Sequence, residues 1–588
     1  MKISGKCSAL ILALIILASL TVSCFVMNTK QGYHEDELLN YNLANSPQLL
    51  LEDDVKANLA NGSMKTPEDF NAFLAVSDDH RFDYGMVYHN QIVDGVHPPF
   101  YYSLVHTVCS LFPGVFNKWL GFIVNLIMMA GALLLLFRIG KRVTDNNLYA
   151  LIAVGGYALS IACITTTIYL RMYATLTFFV LAFLAVTLRI YDRKNEVKLT
   201  DLLLMLVTVT LGILTQYYFV VFAGLIGLVF LVFSIREKHI KTLLKYIITA
   251  VIGAGIALAI YPNMIMQVLG SDRGVGSTGS VNIDFITILT YVGYKLLTYV
   301  EVLSKDMFLG QMWLCALCVV LLLGFGVYFR FIKKQKLPRK AWFLIVPGVF
   351  YFMGIALISP FNSDRYIMAS MPMLSMIAVF GFIRIFNLLP NQKLRLVLPA
   401  CILAASIVGL IAVKPYYTYG KSSLYDPKTR DCLYVGTPMQ EWNKNLDKFM
   451  LYDTVTIVQT SMNIDGLVDE IEAFANKRGV ITNGKIGGMV DSFIDSGSGK
   501  GDAQSKENNL STTTLDSLKE NKVLRDKTEL TVYISRLADN DAVISYLKTL
   551  GFTQQKLIEA DQSFEDYFNW YDYFVETESY SNVYLLSR

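Results

Sequence analysis

The chain has 588 residues, of which 54% are hydrophobic and only 17% are charged, and its mean hydropathy is +0.43. This balance is typical of an integral membrane protein and excludes an ordinary soluble globular domain. The formal net charge of +3 is too small to favour nucleic acid as a partner, so the distribution of the positive charges is the informative quantity.

Hydrophobic segments close to the length of a membrane-spanning helix recur along the chain. We predict eleven spans, at 7–27, 116–137, 147–169, 172–189, 200–215, 217–234, 244–263, 311–330, 341–358, 366–386 and 395–413. The segments 100–112 and 284–303 are shorter or more polar, and we predict that they form amphipathic helices at the outer surface. The predicted fold is a polytopic α-helical membrane protein.

The first span has two interpretations. Residues 7–27 carry no charge, which predicts an uncleaved anchor. The run Thr21-Val22-Ser23-Cys24 loosely resembles a lipoprotein cleavage site, which would instead predict a removed signal sequence. The leucine usual at the third position before the cysteine is missing, and this favours the anchor.

The loops between the spans alternate in charge. One set is rich in lysine and arginine, namely 138–142, 189–198, 236–245, 330–340 and 384–395, whereas the other set holds few basic residues. By the positive-inside rule the basic set is cytoplasmic, which places the N-terminus inside the cell. Eleven crossings then place the C-terminus outside, in a multi-pass protein of the plasma membrane.

Two long segments lie on the predicted outer side. Residues 28–115 form the first outer loop of a transmembrane domain that covers 1–415, and residues 416–588 form a polar extracytoplasmic tail. Cys109 and Cys432 lie one in each segment and could form a disulfide. Three strand-like segments and one capped helix predict that the tail is a small α/β domain, at 454–461, 529–535, 580–588 and 539–551.

The unusual polar residues all fall at the predicted outer surface. They are Asp36, Glu37, Asp94, His97, Arg171, Tyr173, Asp364, Arg365 and Tyr366. Arginine makes forked, charge-assisted bonds to phosphate oxygens, and a nearby carboxylate can accept a proton from an attacking hydroxyl. Because no nucleotide-sugar pool exists outside the cell, an activated sugar there must arrive on a membrane-soluble phosphate carrier. These residue types therefore predict a phosphate clamp and a base at the interface.

Each of these residues also has a structural interpretation. Arg171 and Arg365 could extend to lipid headgroups, and Asp36 could cap the helix that follows it. His97 could be a structural loop residue. The functional interpretation depends on their arriving together at one depth.

The order of these motifs resembles the type C membrane glycosyltransferases, and within them the protein O-mannosyltransferase-like group, which includes the bacterial transferases that add aminoarabinose to lipid A. The resemblance covers roughly residues 1–415. It rests on the runs Asp36-Glu37, His97-Pro98-Pro99-Phe100-Tyr101-Tyr102, Leu170-Arg171-Met172-Tyr173-Ala174 and Asp364-Arg365-Tyr366. One departure is Gln216, which stands where many relatives have histidine, and the resemblance does not extend to the tail, 420–588, so the choice of acceptor stays open.

The resemblance implies that a sugar moves from a polyprenyl-phosphate carrier, such as undecaprenyl phosphate, to an extracytoplasmic acceptor. We predict a single displacement, which inverts the anomeric carbon. The acceptor could be glycan, lipid or protein. Asp36 and Glu37 correspond to the family's catalytic acidic pair. Contacts to the donor phosphate or sugar are expected from Arg171, Tyr173, Arg365, Tyr366 and His97. The sequence identifies no cofactor, but Asp36, Glu37, Asp94 and His97 could hold a divalent cation.

A transporter or flippase for a lipid-linked sugar is the alternative, because it would use the same arginines as a headgroup site. That alternative predicts polar or broken helices at the midplane and a two-fold internal repeat. The spans are apolar through their centres, and the polar residues cluster at one face. This pattern favours an enzyme that works at the interface.

Overall fold

The protein is described by a computed structural model in which most of the chain is helical and a single mixed sheet lies near the C-terminus. The described residues are 3–269, 285–359, 363–390, 397–413, 415, 417, 418, 423–437, 442–460, 515, 518, 519, 523–535, 537–560 and 581–588.

The chain begins with a long apolar helix, α1 (Gly5–Thr29), whose N-cap Ser4 accepts a hydrogen bond from the N–H of Cys7. The segment 28–115, predicted as the first outer loop, then contains five short helices, α2 (Glu35–Asn45), α3 (Asp53–Leu59), α4 (Pro67–Asn71), α5 (Tyr84–Asp94) and α6 (Phe100–Ser110). Helix α6 confirms the short helix predicted at 100–112. It packs against α2 and thereby supports the helix that carries Asp36.

The membrane region follows the first outer loop. Its helices are α7 (Lys118–Thr144), α8 (Asn147–Ala158), α9 (Ile161–Ile168), α10 (Tyr173–Arg193), α11 (Leu199–Thr215), α12 (Tyr218–Arg236), α13 (Ile240–Ile260), α14 (Met264–Leu269), α15 (Phe285–Met307), α16 (Met312–Ile332), α17 (Arg339–Leu357), α18 (Met368–Phe386) and α19 (Val397–Ala412).

The predicted spans all fall on apolar helices. Among the described residues, eight helices including α1 are long and apolar enough to cross a membrane, and the bent pair α8–α9 makes up to nine. The other two predicted spans are α11 and α19, which have 17 and 16 residues. The polytopic helical fold is thus confirmed. Helix α15, predicted as an amphipathic helix at the outer surface, is not among the eight.

The span predicted at 147–169 is not one continuous helix. The segment 147–169 bends by 59° between α8 and α9. Ser160 lies at the bend, and its hydroxyl accepts a hydrogen bond from the N–H of Cys163, which caps α9. The bend brings Tyr169 and Arg171, which follow α9, toward the outer loop.

Small residues allow the membrane helices to approach closely, as expected where lipid supplies no hydrophobic driving force between them. A Cβ added at Gly140 of α7 would lie 3.2 Å from Ala150 of α8. A Cβ at Gly253 of α13 would lie 3.1 Å from Val209 of α11. A larger residue at either position would push its helix away from the neighbouring one.

The tail supplies five strands of a six-stranded sheet, and the sixth strand, at one edge, comes from the segment 28–115. The strands are β1 (Met64–Lys65), β2 (Asp431–Gly436), β3 (Thr454–Gln459), β4 (Glu529–Ser535), β5 (Gln554–Glu559) and β6 (Ser581–Ser587), in the order β1-β3-β2-β4-β6-β5. Strand β2 is parallel to β3 and β4, and the other pairs are antiparallel. Met64 lies opposite Thr456, so loop and tail share one sheet.

The predicted elements of the tail are present. Strands β3, β4 and β6 match the three predicted strands, and a helix, α20 (Asn540–Thr549), begins after its N-cap Asp539 and precedes Gly551. Strands β1, β2 and β5 were not predicted. The suggested disulfide is wrong, because Cys109 and Cys432 are separate, buried free thiols.

Candidate active site

Asp36 lies in the first turn of α2, and the local sequence frees its side chain for other contacts. His34 is the N-cap, and its Nδ1 accepts a hydrogen bond from the N–H of Asp36 at 3.1 Å. Glu37 Oε2 accepts from the N–H of His34 at 2.8 Å, which completes a capping box. Histidine, rather than Asp36, therefore caps this helix.

The Asp36 carboxylate forms an ion pair with the Arg365 guanidinium, and these two residues are 329 positions apart in the chain. The hydroxyl of Tyr169 donates to Asp36 Oδ2 at 3.1 Å. Burial raises the pKa of Asp36, but the positive charges of Arg365 and Arg171 outweigh it and hold the pKa well below its usual range. Asp36 is therefore ionised at any physiological pH.

Arg171 contacts three separate segments of the chain. It is 3% exposed, and its Nη1 donates to the Asp36 carbonyl oxygen at 3.1 Å and to the Tyr102 hydroxyl at 3.3 Å. Its Nη2 lies 3.1 Å from His97 Nε2. Since arginine can only donate, His97 accepts at Nε2 and carries its proton on Nδ1, which lies 2.8 Å from Asp94 Oδ2. His97 thus orients Arg171.

The two predicted tyrosines support the arginines. The Tyr366 ring is buried and lies 5.2 Å from the Arg365 guanidinium carbon, in a cation–π arrangement. Tyr173 is buried, and its ring is parallel to that of Tyr169 at 5.9 Å. The fold therefore collects Asp36, His97, Arg171, Tyr173, Arg365 and Tyr366 into one continuous cluster.

The Glu37 carboxylate has different partners from the Asp36 carboxylate. Its fully buried carboxylate receives Lys30 Nζ at 2.6 and 2.7 Å, and both side chains are 0% exposed. It also accepts from the N–H of Leu170 at 2.7 Å, immediately before Arg171. These contacts favour a positioning role for Glu37 over the predicted catalytic one, because the carboxylate fixes the Asp36 and Arg171 segments to the end of α1.

The sequence did not identify three residues of this cluster, which are Lys30, Tyr169 and Tyr417. The Tyr417 ring, contributed by the segment after α19, stacks on Tyr169 with 3.8 Å between ring centroids. Its hydroxyl donates to Asp364 Oδ1 at 2.7 Å, and its backbone has a positive φ of 63°. Of the three, Lys30 could have been noticed in the sequence, because it is the first charged residue after an uncharged span.

The acidic residues proposed as cation ligands each have a basic partner. Asp36 pairs with Arg365, Glu37 with Lys30, and Asp94 with His97. Within the described residues, no group of three or more His, Cys, Asp or Glu side chains is arranged to hold a metal ion.

His34 provides a pH prediction for this site. Burial lowers the pKa of His34 to about 3, and the guanidiniums of Arg365 and Arg171 act in the same direction. Because the unfolded histidine titrates near 6.5, the native state loses stability as the pH falls from about 6.5 toward 3, at up to ~1.4 kcal/mol per pH unit. Thermal unfolding between pH 7 and 5 should show this loss.

The matched variant for this measurement is His34→Asn, which keeps a good N-cap residue but does not titrate. Its unfolding temperature should fall less than that of the native chain over the same pH interval. Equal slopes for the two proteins would contradict a buried neutral His34.

A comparison with family models decides the class of this protein. Residues 96–265 match the family described as dolichyl-phosphate-mannose-protein mannosyltransferase, and this segment contains His97, Arg171 and Tyr173. The predicted resemblance to the protein O-mannosyltransferase-like group is confirmed. The chain is an enzyme, a multi-pass membrane glycosyltransferase, and the transporter alternative is set aside.

The solved structures that match this chain do so at low identity and with TM-scores below 0.5. ArnT from Cupriavidus metallidurans, solved with undecaprenyl phosphate, is 11% identical to this glycosyltransferase, covers 99% of this chain and 98% of its own, and has a TM-score of 0.47. The oligosaccharyltransferase AglB from Archaeoglobus fulgidus, solved with an inhibitory peptide and a dolichol phosphate, is 12% identical to this chain. The match covers 74% of this chain and 63% of AglB, with a TM-score of 0.39. No curated protein sequence matches this glycosyltransferase.

Proposed function

We propose that this glycosyltransferase moves a sugar from a polyprenyl-phosphate carrier to a hydroxyl of an extracytoplasmic acceptor, with inversion at the anomeric carbon. The observation that carries the proposal is the contact of one carboxylate residue, Asp36, with both Arg365 and Arg171. The matched family is named for a sugar donor of this chemical class, dolichyl-phosphate mannose.

The two arginines are suited to bind the donor phosphate. Both stay protonated, and both lie beside aromatic rings and largely away from water, where charge-assisted bonds are stronger. The Nε of Arg171 is buried and has no hydrogen-bond acceptor within the described part of the chain. A phosphate oxygen would satisfy this donor. As the donor bond breaks, negative charge grows on the phosphate, and the arginines stabilise it.

Donor binding would also activate Asp36. While Asp36 is paired with Arg365, its low pKa makes it a weak base. A phosphate that takes over the Arg365 guanidinium removes this partner, so the pKa of Asp36 rises toward that of an ordinary carboxylate. The base is therefore strongest when the donor is in place.

The reaction is then a single displacement. The acceptor hydroxyl oxygen attacks the anomeric carbon and forms the new glycosidic bond, while the bond from that carbon to the phosphate oxygen breaks. The hydroxyl proton passes to Asp36, and polyprenyl phosphate leaves with the bonding electrons. Tyr169 holds Asp36 in orientation through its hydroxyl, and His97 holds Arg171.

Binding of polyprenyl phosphate without a sugar tests the phosphate clamp. Arg365→Gln and Arg171→Gln should each weaken binding by roughly 10–100-fold, because each removes a charge-assisted contact worth about 1.5–3 kcal/mol. Affinity can be measured with the purified chain in lipid nanodiscs at fixed ionic strength.

The matched control is Arg384→Gln, which removes an arginine from the opposite end of α18, where Arg384 contacts Gln335 and the ring of Phe329. Its affinity should stay within about twofold of the native value. If Arg365→Gln and Arg384→Gln weakened binding equally, the effect would be general electrostatics, and the clamp would be wrong.

A further inference from the structure

A groove separate from the Asp36 cluster lies between α7, α10 and α11. Its volume is about 1050 Å³, and its wall is mostly apolar. One end reaches Phe100, whose ring lies 5.8 Å from that of Phe179. From Phe179 to Asp192 the groove follows α10 for 13 residues, which is about 20 Å at the rise of an α-helix.

The other end of the groove is basic. Five basic and two acidic residues line it, an excess of three positive charges, namely Arg138, Lys141, Arg142, Arg189, Lys340, Asp145 and Asp192. Asp192 is already shared by Arg142 and Lys340, at 2.6 and 2.7 Å. Arg138 and Lys141 are exposed and form no ion pair within the described part of the chain. The groove thus has two cations available for an anion.

We propose that this groove binds an anionic phospholipid, with the phosphate at Arg138 and Lys141 and an acyl chain along α10. Basic pockets between membrane helices are suited to anionic headgroups. The apolar wall continues from the basic end for a length that suits an acyl chain. Charge and shape together define an anionic amphiphile as the ligand.

A phospholipid explains the groove better than the sugar donor does. The donor phosphate is assigned to Arg171, which lies two residues before α10, whereas the basic end lies beside Arg189. The roughly 18 residues between them correspond to about 27 Å of helix. One lipid phosphate cannot occupy both ends, so the groove takes a second lipid whose binding does not depend on the proposed transfer reaction.

Native mass spectrometry of the full chain in detergent tests the proposal, with phosphatidylglycerol and phosphatidylcholine of identical chains as probes. Phosphatidylglycerol should bind roughly tenfold more tightly or better. The double variant Arg138→Gln/Lys141→Gln should lose roughly tenfold of this affinity. Lys241→Gln/Lys245→Gln removes the same charge from α13, outside the lining of the groove, and should leave the affinity unchanged.

A second variant distinguishes the two lipids. Ala185 lines the groove, and Ala185→Trp should fill it and reduce phosphatidylglycerol binding, while polyprenyl phosphate binding stays unchanged. If Ala185→Trp instead removed polyprenyl phosphate binding and spared phosphatidylglycerol, the occupant would be the donor and the proposal would be overturned. Equal affinity for the two phospholipids, or equal losses in the two double variants, would also overturn it. The arginine clamp is tested separately, by the effect of Arg365→Gln on polyprenyl phosphate binding.

Discussion

Replacing Asp36 by asparagine is expected to lower the turnover of sugar transfer by about 10²–10⁴-fold, the usual cost of removing a well-placed general base. Asparagine can still accept the hydrogen bond from Tyr169, but it carries no charge and takes up no proton. The same change removes the carboxylate that competes with phosphate for Arg365. The rate should therefore fall while affinity for polyprenyl phosphate is unchanged or higher.

Single-turnover transfer and donor binding, measured on the same preparation, separate these two effects. The control is Glu35→Gln, one position earlier, whose carboxylate is 38% exposed and lies 3.5 Å from Lys444. This control makes the same chemical change and should keep transfer within about twofold. A fall in affinity that accounts for the whole loss in Asp36→Asn would show that Asp36 binds the donor rather than acting on the acceptor.

The membrane helices could be predicted because hydropathy and length alone define a span. The bend in the segment 147–169 could not be predicted, since Ser160 lies in a mostly apolar run. A serine hydroxyl can also bond to a backbone carbonyl within its own helix, so its presence does not mark a helix end. In the tail, β2 was missed because it is a central strand with parallel neighbours on both sides. All but the first of its six residues are buried, so it shows no alternation. Strand β1, with two residues, carries no pattern.

The candidate site was predicted as a set of residues but not as a set of contacts. Charge alternation and the resemblance placed Asp36, Arg171 and Arg365 on one side of the membrane. Neither could pair Asp36 with Arg365 or assign Glu37 to Lys30, because these partners depend on how distant helices pack. Adjacent positions in an acidic run have opposite environments here, since Glu37 points into the α1–α2 junction and Asp36 toward the arginines.

The contribution of the tail was also hidden in the sequence. Tyr417 reaches Tyr169 from the end of the last membrane helix, and the N–H of Tyr33 donates to Asp447 of the tail at 3.1 Å. Both contacts join segments that are far apart in the chain. The shared sheet, through strands β1 and β3, joins the same two regions. The tail is therefore part of the framework that holds the loop carrying Asp36.

The buried pair Lys30–Glu37 gives the largest expected effect on stability. Lys30→Met should destabilise the folded chain by roughly 3–5 kcal/mol, because it leaves a fully buried carboxylate without its opposite charge. Burial raises the pKa of Glu37, and loss of Lys30 would raise it further, so the carboxyl would protonate as the pH falls. The destabilisation should thus be smaller at about pH 5 than at about pH 8.

Two companion variants separate charge from packing. Lys30→Met/Glu37→Gln removes both charges, and the introduced amide keeps an oxygen for one of the two N–H groups, those of Leu170 and His34, that bind the two carboxylate oxygens, so part of the lost stability should return. Lys444→Met breaks the exposed pair with Glu35 and should cost less than ~1 kcal/mol. Thermal unfolding in detergent at both pH values measures all three. If the double variant were as unstable as Lys30→Met, lost packing would be the cause, and the ion pair would not be what joins α1 to the loop that carries Asp36.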